Sequence, residues 1–194
     1  MALVSSGIKT ELREVDINDM PEEAIKISAK ATVPILVLAD GTFIDESWDI
    51  LKWALSQNDP DNWLGKNAEF LLDAEMLVET NDFSFKEDLD HYKYADRYPE
   101  KSAQYYRAAC EEFIEELEEE LTDSQYLLDH DMTLADIGVF PFVRQFSLVD
   151  KEWFDQSPYP NVQRWLNQII DSSLFQQVFQ KHEIWKPGDK TIYI

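Results

Sequence analysis

Hydrophobic positions follow two different rhythms along the chain. Through the first 57 residues they come in short clusters broken by turn residues, and after residue 66 they recur at helical spacing. Thr10 to Val15 is a short extended segment behind Gly7, a residue suited to ending a helix. Asp19-Met20-Pro21-Glu22 predicts a helix start, with Asp19 as the cap, Pro21 in the first turn and Glu22 near the positive end, and that helix runs to about Ser28. Val33-Pro34-Ile35-Leu36-Val37-Leu38 is an apolar strand and Thr42-Phe43-Ile44 a second, joined by a tight turn at Asp40-Gly41. From Glu46 to Leu55, Trp48, Ile50, Leu51, Trp53, Ala54 and Leu55 form one apolar face of a helix.

Asn58-Asp59-Pro60-Asp61-Asn62 is polar and punctuated by proline, the clearest linker in the sequence. Everything beyond it reads as helix: 67–79, 84–98, 100–121, 133–148, 161–170 and 173–181. In the long helix Ala109, Phe113, Leu117 and Leu121 share a face, which turns the glutamates of the run 111–120 toward water. The tail from Trp185 to Ile194 reads as irregular. The expected organisation is a small mixed domain over 1–57, a linker over 58–66 and an all-helical domain over 67–194.

Charge narrows the function. The 194 residues carry 39 acidic and 17 basic side chains, a formal net charge of −22. Such a field repels phosphate backbones and anionic lipid, so neither nucleic acid nor membrane is expected as a partner. The 44% hydrophobic content is enough for a buried core, which separates the chain from disordered acidic proteins. One cysteine forms no internal disulfide, no Cys/His cluster has zinc-ligand spacing, and no apolar run approaches the roughly 20 residues of a membrane helix. A cytoplasmic protein without a metal site is expected.

Three local patterns bear on chemistry. Thr133-Leu134-Ala135-Asp136 is a capping box with aspartate in the usual glutamate position, flanked by Met132 and Ile137 as staple residues. Pro141, inside the same helix, removes a hydrogen bond. Val33-Pro34 is either a trans proline opening a strand or a cis turn that aims the Val33 N–H and C=O outward. Asp45-Glu46-Ser47 stands at the mouth of a helix. There Asp45 or Ser47 caps the helix, or the free N–H groups receive a ligand carboxylate while Glu46 receives its ammonium.

Taken together, Ala31-Thr32-Val33-Pro34-Ile35-Leu36, the turn at Asp40-Gly41, Ile44-Asp45-Glu46-Ser47-Trp48-Asp49-Ile50 and Met132-Thr133-Leu134-Ala135-Asp136-Ile137 resemble the cytosolic glutathione S-transferase family, in order along nearly the whole chain. The resemblance implies an α+β two-domain fold, a truncated thioredoxin-like N-terminal domain followed by an all-α C-terminal domain. It implies that Val33-Pro34 is cis, with the Val33 backbone meeting the cysteinyl part of glutathione. Glu46 and Ser47 would hold the γ-glutamyl end, and Lys30 the glycyl carboxylate. Glutathione would be a substrate, transferred to a small electrophile or used to reduce a mixed disulfide. Tyr98, Tyr105 and Tyr106 would line the electrophile pocket, and a homodimer would form through the helices near Phe70 to Val78.

The departure from the family lies at the front. Met1 to Gly7 resembles the last turns of the family's first helix, so the first strand and the Ser, Cys or Tyr that activates the sulfur have no counterpart. Ser5 and Ser6 stand at the wrong end of that helix to replace it, and no catalytic residue is nominated. Cys110 reads as a packed core residue. The missing strand would leave unpaired backbone on both neighbours, each buried group costing roughly 1–3 kcal/mol. The Thr10–Val15 segment is therefore expected to pair elsewhere, with a partner chain or directly beside residues 33–38. A non-catalytic binding or regulatory module on the same scaffold is the alternative function.

Overall fold

Residues 1–194 are described by a computed structural model, whose elements in chain order are α1 (Ala2–Ser5), β1 (Glu11–Leu12), α2 (Glu22–Ile27), β2 (Leu36–Val37), β3 (Phe43–Ile44), α3 (Ser47–Gln57), α4 (Ala68–Thr80), α5 (Lys86–Lys93), α6 (Ala103–Glu120), α7 (Leu134–Val149), α8 (Lys151–Asp155), α9 (Pro160–Ile170), α10 (Ser173–Val178) and β4 (Ile192–Tyr193). The chain divides into two units, one of residues 1–61 with 173–194 and the other of residues 62–172.

In the first unit, β2 and β3 form the expected hairpin, Leu36 opposite Ile44 and Val37 opposite Phe43. The Leu38 N–H donates to the Thr42 carbonyl at 2.8 Å, so the loop is three residues long, Ala39-Asp40-Gly41. Gly41 takes φ +87, a left-handed conformation that costs glycine little. The Asp40 carboxylate locks the turn by accepting from the N–H and hydroxyl of Thr42 at 2.9 and 2.6 Å. The buried face of α3, from Ile50, Leu51, Ala54 and Leu55, joins Leu36, Ala2 and Phe175 in the core of this unit.

The expected helix after residue 19 begins later than its cap signal. Pro21 is the N-cap of α2 and no side chain caps it, because Asp19 lies outside the helix. The strand over 10–15 shrinks to Glu11–Leu12, and its partner is the chain's own C-terminus. β1 pairs antiparallel with β4, Glu11 opposite Tyr193 and Leu12 opposite Ile192, separately from the β2–β3 sheet. The tail read as irregular is thus partly a strand. Trp185 N–H donates to the Glu14 carbonyl at 2.8 Å, Lys9 lies over the Tyr193 ring and Arg13 over Trp185.

The second unit is wholly helical. Asn67 caps α4 through the Phe70 N–H at 2.9 Å, and Ser102 caps α6 through Tyr105. A one-turn π-helix over Asn81–Phe85 joins α4 to α5, where the sequence pattern ends one helix at 79 and begins the next at 84. α7 begins with the complete capping box. Asp136 is buried and its carboxylate accepts from four donors: the N–H of Leu127, the N–H and hydroxyl of Thr133, and the indole of Trp165. Leu127, Leu134, Val139, Val143 and Ile169 are fully buried in the same unit. The Leu134 N–H, free of the helix ladder, donates to the carbonyl of buried Trp63 at 3.0 Å.

The glutamate run on α6 is only partly a solvated face. Glu112, Glu115, Glu116, Glu119 and Glu120 are exposed. Glu111 pairs with Arg107 and accepts the Tyr159 hydroxyl at 2.8 Å. Glu118 reaches the next helix, accepting the N–H groups of Asn161 and Val162 at 3.1 and 2.9 Å. α9 has no side-chain cap of its own and Pro160 at its start, so this distant carboxylate does the capping.

Candidate functional site

The mouth of α3 is open. Glu46 is its N-cap residue, in extended conformation, and no side chain caps the first-turn N–H groups. Both capping alternatives therefore fail. Ser47 is the first helical residue and is exposed, while the Asp45 carboxylate is bonded to Ser28 and Lys30. A helix N-terminus of eleven residues presents donors and partial positive charge to whatever lies in front of it.

Asp45 is committed to the loop before β2. One of its oxygens accepts the hydroxyl of buried Ser28 at 2.6 Å and the other accepts Lys30 Nζ at 3.1 Å. Lys30 Nζ also donates to Glu46 Oε1 at 2.5 Å. The Ser28 hydroxyl in turn accepts the Lys30 N–H at 3.3 Å. The Ser28 hydrogen bond, then Lys30, hold the Asp45 carboxyl below its usual range, and the bonds to Glu46 and Asp45 raise the Lys30 ammonium. Sequence reasoning named Asp45 only as a cap. The pairing with Ser28 and Lys30, 17 and 15 residues back, carries no local sequence signal.

The same loop continues through Ala31, at φ +51, to Val33 and Pro34, whose peptide bond is cis, as the family resemblance implies. Val33 is 48% exposed and its N–H and C=O lie outside the β2–β3 ladder. Lys30, Asp45 and Glu46 thus meet in one cluster; Val33 and Pro34 follow three residues on in the same loop, and Ser47 begins the helix next to Glu46. No hydrogen bond joins Val33 or Pro34 to Glu46 or Ser47.

The remaining candidates lie in the helical unit. Tyr106 is buried with its hydroxyl on the Tyr98 carbonyl at 3.1 Å, His91 packs edge-on against Tyr98, and Tyr105 is exposed. Cys110 is fully buried, and burial pushes its thiol well above the usual range. No group of His, Cys, Asp and Glu side chains is arranged to hold a metal ion. No helix is long and apolar enough to cross a membrane. One cavity of about 270 Å³ lies among α7, α8 and α9, and another of about 460 Å³ lies between β1 and the tail around Trp185.

A small mixed unit carrying a cis-proline ahead of a hairpin, followed by an all-helical unit, defines the thioredoxin-like-plus-helical class of protein. The model of the glutathione S-transferase N-terminal domain matches residues 1–57, and that of the glutathione S-transferase C-terminal domain matches residues 84–168. The chain belongs to the glutathione S-transferase family. No curated protein matches the sequence. Among solved structures, the bacterial glutathione S-transferase BphK, in a ternary complex, is similar with a TM-score of 0.77 at 20% identity, over 91% of this chain and 88% of that one. A glutathione S-transferase from Methylobacillus flagellatus KT with glutathione bound gives 0.74 at 18% identity, over 91% and 89%. A class Gtt2 glutathione S-transferase of Vibrio parahaemolyticus gives 0.65 at 24%, over 86% and 80%. At these identities the likeness is one of fold.

Proposed function

We propose that the chain binds glutathione in the first unit, at the mouth of α3. The observation that carries this reading is the set of uncapped first-turn N–H groups beside the exposed Glu46 carboxylate and Ser47 hydroxyl. The γ-glutamyl head group offers a carboxylate and an ammonium on one carbon. Its carboxylate meets the Ser47 N–H and hydroxyl and the positive helix end, and its ammonium meets Glu46. The Val33 N–H and C=O, free of the ladder, pair with the cysteinyl residue as a strand would. The family resemblance would give the glycyl carboxylate to Lys30, whose ammonium is engaged by Asp45 and Glu46.

Glutathione is then the substrate. Its thiolate attacks an electrophilic carbon, forming the C–S bond of a thioether as the C–X bond breaks and X leaves as an anion such as chloride, or attacks the sulfur of a mixed disulfide and expels the partner thiolate. A serine or tyrosine hydroxyl at the sulfur would favour the first reaction and a cysteine the second. The protein acts in the cytoplasm as a homodimer; Leu72 and Met76, four residues apart on α4 and 59% and 66% exposed, supply apolar surface for the second copy.

The test is calorimetric titration of the chain with glutathione. Binding that Ser47→Ala weakens by roughly ten-fold supports the site, as expected for loss of a hydrogen bond to a charged group. Absence of binding overturns it. A second reading, a non-catalytic module that docks glutathione without turnover, is favoured by the engagement of the Ser5 hydroxyl with Asp61 and the burial of Cys110 in the helical unit. Binding without conjugation of a chlorodinitrobenzene probe would decide for it.

A further inference from the structure

The ammonium of Lys30 is already spoken for. It bridges Asp45 Oδ1 at 3.1 Å and Glu46 Oε1, while Asp45 Oδ2 holds the hydroxyl of Ser28, itself buried beneath the loop. This places a lysine between two carboxylates on the helix side of the loop. The arrangement satisfies one oxygen of Glu46 and leaves the other, Oε2, free at the mouth of α3. Glu46 is 61% exposed along its side chain and would otherwise range over several rotamers, so an ammonium ligand would have to order it at an entropic cost.

Resting on the proposed function above, we infer that Lys30 and Asp45 are positioning residues that fix the Glu46 carboxylate for a ligand ammonium, and that Lys30 does not contact the glycyl end of the tripeptide. Ser28, through Asp45, ties this clasp to the same loop that carries Val33, so both halves of the site share one scaffold. The charge count agrees with the assignment. Lys30 neutralises one of the two carboxylates, leaving the cluster one net negative charge with which to receive one ammonium. A lysine that instead swung to a distant carboxylate would leave Asp45 and Glu46 as unscreened like charges on adjacent residues.

The two roles differ in which ligands they affect. If Lys30 orders Glu46, its loss weakens every ligand with a γ-glutamyl head, whatever the other end carries. If Lys30 pairs with the glycyl carboxylate, its loss weakens only ligands that possess that group. The experiment is calorimetric titration of the full chain, and of its Lys30→Met, Lys30→Arg and Asp45→Asn variants, with glutathione and with γ-glutamylcysteine, which lacks the glycyl residue. Lys30→Met is expected to reduce affinity for both peptides by the same factor, roughly three- to five-fold as for an exposed ion pair. Asp45→Asn should act in the same direction, and Lys30→Arg should restore both affinities, which a nonspecific loss of packing would not. A loss confined to glutathione, or unchanged or tighter binding by Lys30→Met, overturns the inference. Wild-type chain that binds neither peptide overturns the proposed function itself, an outcome distinct from either.

Discussion

Thr10 and Ile194 exchange both of their backbone hydrogen bonds, N–H to O at 3.2 Å in one direction and 3.0 Å in the other. The pair stands at the end of the β1–β4 ladder and closes the first unit across nearly the full length of the sequence. Removal of residues 190–194 deletes these bonds, the Leu12–Ile192 pairing and the stacking of Lys9 on Tyr193. The truncated chain is expected to lose about 1–3 kcal/mol, from several partly exposed hydrogen bonds. Urea denaturation followed by tryptophan fluorescence measures it, and an unchanged midpoint would mean that the tail rests on β1 without supporting it.

Asp136 makes stability depend on pH with an unusual sign. Burial pushes its carboxyl from 3.8 up to about 6, against the pull of its four hydrogen-bond donors. The folded chain therefore holds this proton more tightly than the unfolded chain does. The contribution is fully present below pH 4, declines as pH rises to 6 and is level above that, a span of about 3 kcal/mol. The difference in unfolding free energy between wild type and Asp136→Asn should change across pH 4–6 and be flat from 7 to 8. A flat difference throughout would show the carboxylate ionised in the fold down to its ordinary range.

Two neighbouring glutamates on α6 should behave very differently. Glu118 caps α9 through two N–H groups, whereas Glu119 is exposed. Glu118→Ala is expected to cost about 1–2 kcal/mol, with Glu118→Gln retaining part of the bond and none of the charge. Glu119→Ala should fall within about 0.5 kcal/mol of wild type. Equal effects from the two alanine variants would remove the cap from the account.

The proposed dimer has a direct test on α4. Replacing both Leu72 and Met76 by glutamate adds charge to an exposed apolar pair without touching buried Ala74 and Val78. Sedimentation should turn from dimer to monomer while the melting temperature falls only by the contribution of assembly. A wild-type chain that sediments as a monomer at tens of micromolar refutes the assembly.

Features legible in the sequence were those decided within one or two turns of chain. The capping box at Thr133 and Asp136, the apolar face of α3 and the hairpin at Asp40-Gly41 each follow from neighbouring residues. Asp19 misled because proline two residues on sets the helix boundary itself, leaving the aspartate outside. The strand at Ile192–Tyr193 was hidden because its partner lies some 180 residues away, and β-prone residues become a strand only when a ladder receives them. The glutamates of α6 look alike in sequence, yet Glu111 and Glu118 are singled out by what α9 and Tyr159 bring against them. At the candidate site, the segment Asp45-Glu46-Ser47 was visible, but the division of labour within it depends on Ser28 and Lys30 arriving from the preceding loop.

The sealed position of Cys110 has a practical corollary. It is the chain's lone sulfhydryl, and maleimide or disulfide reagents will pass it by while the fold is intact. A cysteine introduced at any chosen surface position would then accept a fluorophore or spin probe stoichiometrically, and delayed labelling of the wild-type chain would serve as a clock for global opening.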